Sequence, residues 1–195
     1  MNFFKKLFNP DKKEEPIEPF DNTEDLSLDQ LFVQNFIQRN GKFLYCTSLE
    51  EVTINLCNIV QENTWNRVVC LDHDLIKLIK TVPVTISDTL SNDIPFFVDC
   101  EHLIAENGSI LFSSNQLKDY KISELSENFI VYATTSQLVR TKGESLTGIR
   151  THYQGNIPSN ISAIKNYNPN IADRDSVSLG NTNAKNLYLL LFEDL

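Results

Sequence analysis

The chain has 195 residues, of which 41% are hydrophobic and 22% are charged, a composition typical of a globular protein with one sizeable core. Its formal net charge is −9 at pH 7, and no basic cluster lies beyond residue 13, which argues against a nucleic-acid-binding surface. The longest apolar run, 187–192, is too short to span a bilayer, and the first residues lack the pattern of a signal peptide. We therefore expect a soluble, cytoplasmic protein with no transmembrane segment.

The N-terminal segment differs in composition from the rest of the chain. Residues 1–8 contain three phenylalanines and two lysines and could form a short amphipathic helix. Residues 9–22 are rich in Pro, Glu, Asp and Lys and cannot bury enough apolar surface to fold. The pattern predicts a flexible or docking tail over 1–22, followed by one domain over 23–195.

Helix and strand patterns alternate from residue 28 onward. Helices are predicted at 28–40, with Gly41 at the C-cap, and from a capping box at Ser48–Glu51 to about residue 62. Strands are predicted at 42–46 and 67–71, and a short helix at 74–81 precedes an extended segment at 82–87.

The strands that follow are almost continuously apolar, as at 68–71 and 129–133. Such runs are typical of a mainly parallel sheet that helices cover on both faces, so the fold class is α/β. Residues 137–154 indicate a helix interrupted near Gly143, and residues 159–167 a strand or extended edge. A polar loop of nearly twenty residues, 168–186, then leads to a last core strand at 187–192, and loops of that length are often functional or disordered.

Four cysteines, at positions 46, 57, 70 and 100, lie in apolar stretches where a small hydrophobic residue would serve equally well. No C-x-x-C pair or closely spaced Cys/His set is present, so the sequence predicts neither zinc nor iron–sulfur ligation. We expect reduced, buried thiols and no metal site.

Residues 100–114 place an ionisable side chain next to an obligatory turn. Glu106-Asn107-Gly108 interrupts an apolar run, and a strand is predicted from Ser109 to Phe112. Gly108 can adopt a positive φ and allows another backbone or a ligand to approach closely, while the apolar neighbours of Glu106 could raise its pKa. Glu106 is thus either a solvated hairpin residue or a functional carboxylate.

Several other polar groups are candidates for chemistry. His73 could act as a base, or be solvated while Asp74 caps the next helix; Cys100 and His102 would face the same side of a strand. Glu101 could pair with Glu106 as acid and base only if the backbone brings the two together. Residues 134–137 follow a strand, where exposed amides could bind an anion or simply cap a helix.

Residues 143–148 resemble both a nucleophile elbow and a phosphate-binding loop, but match neither in spacing. We interpret this stretch as a turn within or before a helix.

The segment Leu103–Phe112 resembles the Ile-Ala-Glu-Thr-Gly-Thr signature of LUD-domain proteins of the lactate-utilisation protein C type, with Asn107 and Ser109 where the family usually has Thr. Residues 130–133 and 187–191 are similar to the last two strands of that family. The C-terminal motifs are degenerate: residues 168–173 keep only Pro169, Ala172 and Asp173 of the family's loop, and residues 179–184 replace a histidine-containing turn.

This resemblance implies the fold shared by CoA transferases and sugar-phosphate isomerases, with a β-hairpin insertion around 98–113. It also implies a part in oxidising L-lactate to pyruvate beside iron–sulfur partner proteins, as an accessory or small-anion-binding subunit with no cofactor of its own. Glu106 would be the site carboxylate. A small carboxylate or phosphate ligand would be bound by Asn107, Gly108, Ser109, Thr134, Thr135, Gly180 and Asn181.

Two other functions fit the same residues. The wider fold suggests an acyl-CoA transferase or a sugar-phosphate isomerase in which Glu106 acts as nucleophile or base, although fold alone is a weak guide to function. A non-catalytic interaction module that recruits a partner through the Phe-rich N-terminus is the third. One carboxylate, with no histidine or basic clamp nearby in sequence, favours the accessory role over independent catalysis.

Overall fold

A computed structural model describes residues 26–169 and 183–194. The predicted tail at 1–22 and the predicted ligand residues Gly180 and Asn181 lie outside these ranges. The helices are α1 (Leu28–Gln38), α2 (Leu49–Glu62), α3 (His73–Ile79), α4 (Ser114–Leu117) and α5 (Lys142–His152). The strands are β1 (Lys42–Cys46), β2 (Arg67–Val68), β3 (Thr85–Ile86), β4 (Phe96–Val98), β5 (His102–Ile104), β6 (Ser109–Phe112), β7 (Asn128–Thr134), β8 (Leu138–Val139), β9 (Ser162–Ile164) and β10 (Asn186–Phe192).

The central sheet is parallel and has the strand order β1-β10-β7-β4. A parallel bridge between Val69 and Phe96 places β2 beside β4, and β3 pairs in parallel with β2. The strand nearest the C-terminus, β10, therefore lies between β1 and β7. The prediction of a mainly parallel sheet is confirmed.

Alternate residues of β10 face two separate cores. Leu187, Leu189 and Leu191 pack in the same core as the α1 residues Phe32 and Phe36. Tyr188 and Leu190 pack instead with residues of α2 and α3. Because both faces of the strand are buried, its sequence is continuously apolar rather than alternating.

A second, four-stranded sheet has the order β8-β5-β6-β9. Strands β5 and β6 form an antiparallel hairpin in which Leu103 lies opposite Ile110, so the hairpin expected around 98–113 is present. Leu103, Ile110 and Phe112 join the core that α1 contributes to. One face of the central sheet is thus covered by α1 and this second sheet, and the other face by α2 and α3.

Two helix boundaries differ from the sequence prediction. The left-handed residue that ends α1 is Asn40 (φ 68°), not Gly41. Asp72, rather than Asp74, caps α3: its carboxylate accepts hydrogen bonds from the backbone N–H groups of Asp74 and Leu75, at 2.7 and 2.9 Å. In both places the residue one or two positions earlier has the geometry that the cap requires.

Helix α5 also differs from its prediction, because it is uninterrupted through Gly143 and Gly148. The Thr141 side chain caps its start by accepting from the backbone N–H of Glu144. The residues 143–148, interpreted above as a turn, are therefore helical. Among the residues that the structure describes, no helix combines the length and apolar character needed to cross a bilayer.

Candidate functional site

The Glu106 side chain is exposed, in contrast to the apolar setting that its sequence neighbours suggested. Its backbone N–H donates to the carbonyl oxygen of Arg140 at 2.9 Å, and its carboxylate accepts from the backbone N–H of Lys142 at 3.0 Å. Lys142 is the first residue of α5, and a carboxylate is favourable at a helix N-terminus. Glu106 therefore fastens the β5–β6 turn to the start of α5.

Gly108 is required by close packing against α1. Its φ is +63°, and a Cβ atom there would lie 2.5 Å from the backbone nitrogen of Phe36 and 2.6 Å from the carbonyl carbon of Asn35. The Asn35 side chain donates to the carbonyl oxygen of Ala105 at 2.8 Å, and the Tyr167 hydroxyl donates to that of Gly108 at 2.5 Å. The close approach expected at Gly108 is made by the backbone of α1.

Asn107 and Ser109 complete this turn. The Asn107 side chain accepts from the backbone N–H of Ser109 at 3.0 Å, a local bond that stabilises tight turns. Ser109 is 1% exposed, and its hydroxyl has no hydrogen-bond partner within the described ranges. Ser109 lies opposite Ile104 in the hairpin, on the face that packs under Ile149 of α5.

Thr134 and Thr135 lie where β7 ends, beside the end of β10. The Thr135 hydroxyl and the Ser136 backbone N–H donate to one carboxylate oxygen of Asp194, at 2.7 and 3.0 Å. The Ser136 hydroxyl donates to the other oxygen at 2.6 Å. The donors predicted to bind an anion thus bind an anion from the chain itself.

The hydrogen bonds set the charge state of Asp194. Partial desolvation opposes ionisation, but the bonds from Ser136 and Thr135 outweigh it and lower the pKa of Asp194 to about 2. Sequence analysis did not single out Asp194. The available signal was an acidic residue two positions after the last predicted strand, since the carboxyl ends of parallel strands share one edge of the sheet.

Glu101 lies between β4 and β5 and is buried, with a relative exposure of 9%. Its carboxylate accepts from the Ser113 hydroxyl at 2.5 Å and the Asn115 amide at 3.1 Å, and the Tyr153 hydroxyl lies 3.2 Å from its second oxygen. Tyr153 directly follows α5, whereas Glu106 binds the start of that helix. About 16 Å of helix separates the two contact points, so the structure does not bring Glu101 and Glu106 together.

Asp99 follows β4 at the carboxyl edge of the central sheet and is half-buried. Burial raises the pKa of Asp99 to about 6, and the nearby carboxylate of Asp72 adds to the effect. Asp72 follows β2, the neighbouring strand, so two strand ends place their acidic residues side by side. A carboxyl pKa raised in this way is common at catalytic sites, and the sequence analysis did not single out Asp99.

Cys100 and His102 do not form a reactive pair. Cys100 packs in the main core, where burial raises the pKa of its thiol well above the ordinary range. His102 instead lies against α5, where Gly148 leaves room for its ring: a Cβ at Gly148 would be 3.0 Å from the His102 Nε2 atom. The prediction that the two face the same side of a strand is wrong, because β5 begins only at His102.

In the part of the chain that the structure describes, no group of three or more His, Cys, Asp or Glu side chains is arranged to hold a metal ion. The candidate residues form three separate arrangements, which the structure does not bring together. They are the Glu106–Ser109 turn, the Thr135–Ser136–Asp194 contact and the acidic group of Asp72, Asp99 and Glu101. The first packs against the C-terminal half of α1 and Tyr167, away from the carboxyl edge of the central sheet.

No protein-family model matches the sequence, and no curated protein matches it significantly. In three dimensions the chain is similar to the crystal structure of a DUF162 family protein from Deinococcus radiodurans, with a TM-score of 0.58 and 12% sequence identity. The match covers 86% of this chain and 99% of that one. The chain therefore shares the α/β fold of that protein.

Proposed function

We propose that this chain is a LUD-type accessory protein of L-lactate oxidation that binds a small carboxylate or phosphate and works beside iron–sulfur partner proteins. Two findings support the proposal. DUF162 denotes the LUD-domain family, whose fold the chain shares. The residues that resemble the family signature form the β5–β6 hairpin and its turn.

Because Glu106 is exposed, we propose an accessory role for this protein rather than the role of an acyl-transfer enzyme. A carboxylate nucleophile needs an environment that excludes water and leaves its oxygens free to react. Glu106 is solvated, and one oxygen is bound to the backbone of Lys142. Glu106 then shapes the β5–β6 turn with Asn107, Gly108 and Ser109.

Thr134, Thr135 and Ser136 are the proposed anion donors, and Asp194 competes with the ligand for them. Replacing Asp194 with alanine would free the two hydroxyls and the backbone N–H. Calorimetric titration with L-lactate, pyruvate and phosphate should show tighter binding to Asp194→Ala than to the wild type. The exposed Asp119→Ala, which removes the same charge elsewhere, should bind like the wild type. Absence of binding to both wild type and Asp194→Ala would contradict this ligand class.

A genetic test separates the accessory role from catalysis by Glu106. Deletion of the gene should slow growth on L-lactate, and both the wild type and Glu106→Gln should restore it, because glutamine retains an acceptor oxygen for the Lys142 backbone. Failure of a folded Glu106→Gln to restore growth would favour the enzyme. A covalent adduct on Glu106 after incubation with acetyl-CoA and an acceptor acid would do the same.

A second candidate is an isomerase that transfers protons in sugar phosphates, and the Asp99 carboxyl favours it. A group with a pKa of about 6 at the carboxyl edge of a parallel sheet has the position and proton affinity of a general acid–base. Incubation with sugar phosphates in D₂O would reveal turnover as deuterium incorporation by NMR. Incorporation that Asp99→Asn abolishes would establish the isomerase; no incorporation would leave the accessory role.

A further inference from the structure

The dipeptide Asn-Gly occurs twice in the sequence, at Asn40-Gly41 and at Asn107-Gly108. In such a pair the backbone nitrogen of the glycine can attack the side-chain amide of the asparagine, because glycine has no Cβ to obstruct the approach. The two pairs have the same chemistry in an unfolded chain. The fold places them in different surroundings, and this difference decides which of them can react.

The Asn40-Gly41 pair follows α1, and its attacking nitrogen is engaged. The Gly41 backbone N–H donates to the carbonyl oxygen of Phe36 at 3.0 Å, and the Asn40 backbone N–H donates to that of Ile37 at 2.9 Å. The Phe36 ring also closes over Gly41, since a Cβ atom there would overlap that ring. A hydrogen-bonded N–H retains its proton, so Asn40 is protected from attack although its side chain is exposed.

The Asn107-Gly108 pair lies in the β5–β6 turn, and its attacking nitrogen is not engaged. Among the residues that the structure describes, the Gly108 backbone N–H has no hydrogen-bond acceptor. The Asn107 side-chain oxygen accepts from the backbone N–H of Ser109 at 3.0 Å, which folds the side chain back along the turn. The same N–H would stabilise the negative charge that develops on this oxygen during attack. Asn107 is partly exposed, so water reaches it.

We propose that Asn107 is a site of spontaneous deamidation and that Asn40 is not. The Gly108 nitrogen gives up its proton and forms a bond to the side-chain carbonyl carbon of Asn107. The bond from that carbon to the amide nitrogen breaks, and this nitrogen leaves with the proton as ammonia. Water then opens the cyclic imide at either carbonyl, which leaves aspartate or isoaspartate at this position. The reaction does not depend on the proposed function.

The isoaspartate product would strain the turn. Isoaspartate carries the chain through its side chain and so adds one carbon atom to the backbone. The turn has no room to shift, because a Cβ atom at Gly108 would already lie 2.5 Å from the backbone nitrogen of Phe36. The aspartate product keeps the backbone and an acceptor oxygen for Ser109. We therefore expect the isoaspartate form to unfold more easily than fresh protein.

Ageing of the full-length protein at mildly alkaline pH tests the proposal. Samples are digested with pepsin in acid, and tandem mass spectrometry measures deamidation at each asparagine. In the folded protein Asn107 should react at least about fivefold faster than Asn40, the factor that one backbone hydrogen bond represents. In concentrated urea, where both pairs leave their folded surroundings, the two rates should become similar.

Two substitutions link the modification to stability. Asn107→Ser keeps a hydroxyl oxygen for the turn but cannot form the imide, so ageing should not change its thermal unfolding. Asn40→Gly is the matched control, because glycine adopts the left-handed φ of 68° at this position. It should age like the wild type, which acquires an isoaspartate-containing fraction with a lower unfolding temperature.

Equal rates at Asn107 and Asn40 in the folded protein would overturn the proposal. A ratio of the two rates that stays the same in urea would also overturn it, because neighbours in sequence rather than the fold would then set the rates. If aged Asn107→Ser lost as much stability as the aged wild type, the damage would lie at another residue and the strain assigned to this turn would be wrong.

Discussion

At the scale of single residues, Gly108 shows how a sequence motif can serve packing. The substitution Gly108→Ala combines a left-handed φ with a Cβ 2.5 Å from the α1 backbone. We expect it to lower the free energy of unfolding by at least about 2 kcal/mol, measured by urea denaturation. Gly143→Ala is the control: its Cβ would be 3.7 Å from the Thr141 side chain, within a helix. The control should stabilise by about 0.5–1 kcal/mol, and equal effects would contradict the packing argument.

The Tyr153 hydroxyl is the second single-residue test. Tyr153→Phe removes a hydrogen bond to the buried Glu101 carboxylate while keeping the ring. The expected loss of stability is about 1 kcal/mol by urea denaturation. Tyr120→Phe, at a residue that is 40% exposed, is the matched control and should leave stability unchanged. A neutral Tyr153→Phe would mean that Glu101 is satisfied without it.

Asp99 and Asp194 should give opposite pH dependences. The folded pKa of Asp99, about 6, lies above the ordinary value of 3.8, so the folded state binds its proton more tightly and the carboxyl lowers stability as pH rises from about 4 to 6. We expect Asp99→Asn to stabilise the protein by about 1–3 kcal/mol at pH 7, with the gain shrinking towards pH 4. Urea denaturation at pH 7, 5.5 and 4 checks this. A gain that does not change with pH would exclude titration of Asp99 as its cause.

At the scale of elements, Asp194 joins the end of β10 to the turn after β7. Its folded pKa of about 2 lies below the ordinary 3.8, so it stabilises the fold above about pH 4 and the effect is lost between pH 4 and 2. Asp194→Asn should therefore be destabilising at pH 7 and match the wild type near pH 2. The loss of stability in Asp194→Asn should be smaller than the pKa shift alone indicates, because the Asp194 side chain is largely solvated. If the stability of Asp194→Asn still differed from that of the wild type at pH 2, the hydrogen bonds of the protonated Asp194 carboxyl group would be the cause.

The elements also show which structure could be predicted from sequence. The strands at 42–46, 129–133 and 187–192 were predictable because burial on both faces leaves a continuous apolar run. Strand β9 lies within the predicted strand or extended edge at 159–167. Strand β8 was not predictable, because two residues carry too little periodicity and its pairing partner is remote in sequence. The uninterrupted start of α5 was missed because the Thr141 cap outweighs the low helix propensity of Gly143.

The candidate site was less predictable than the fold. The Glu106–Ser109 turn follows from local chemistry, since a glycine at a positive φ marks a turn. The contacts of Glu101 with Ser113 and Tyr153, and of Asp194 with Ser136, depend on where distant segments meet. Their residue types are common on protein surfaces, so no pattern in the sequence separates them from solvated side chains.

At the scale of the whole molecule, the sheet has a protected centre and weak edges. β10 is paired along both sides, whereas β2 and β3 pair through two residues each. Native-state hydrogen exchange should therefore be slowest at the amides of 187–191 and much faster at 67–68 and 85–86. Mass spectrometry of peptic fragments measures this. Uniform exchange across these segments would show that the sheet opens only as one unit.

The central position of β10 has a consequence for biosynthesis. Lys42 and Tyr188 are neighbours across the sheet but 146 residues apart in the chain, so a nascent polypeptide displays the open edges of β1 and β7 until residues 186–192 have left the ribosome. The central sheet can therefore close only after β10 has been synthesised. A protein truncated before residue 186 would lack β10. The facing edges of β1 and β7 would then stay unpaired, which makes the product prone to aggregate.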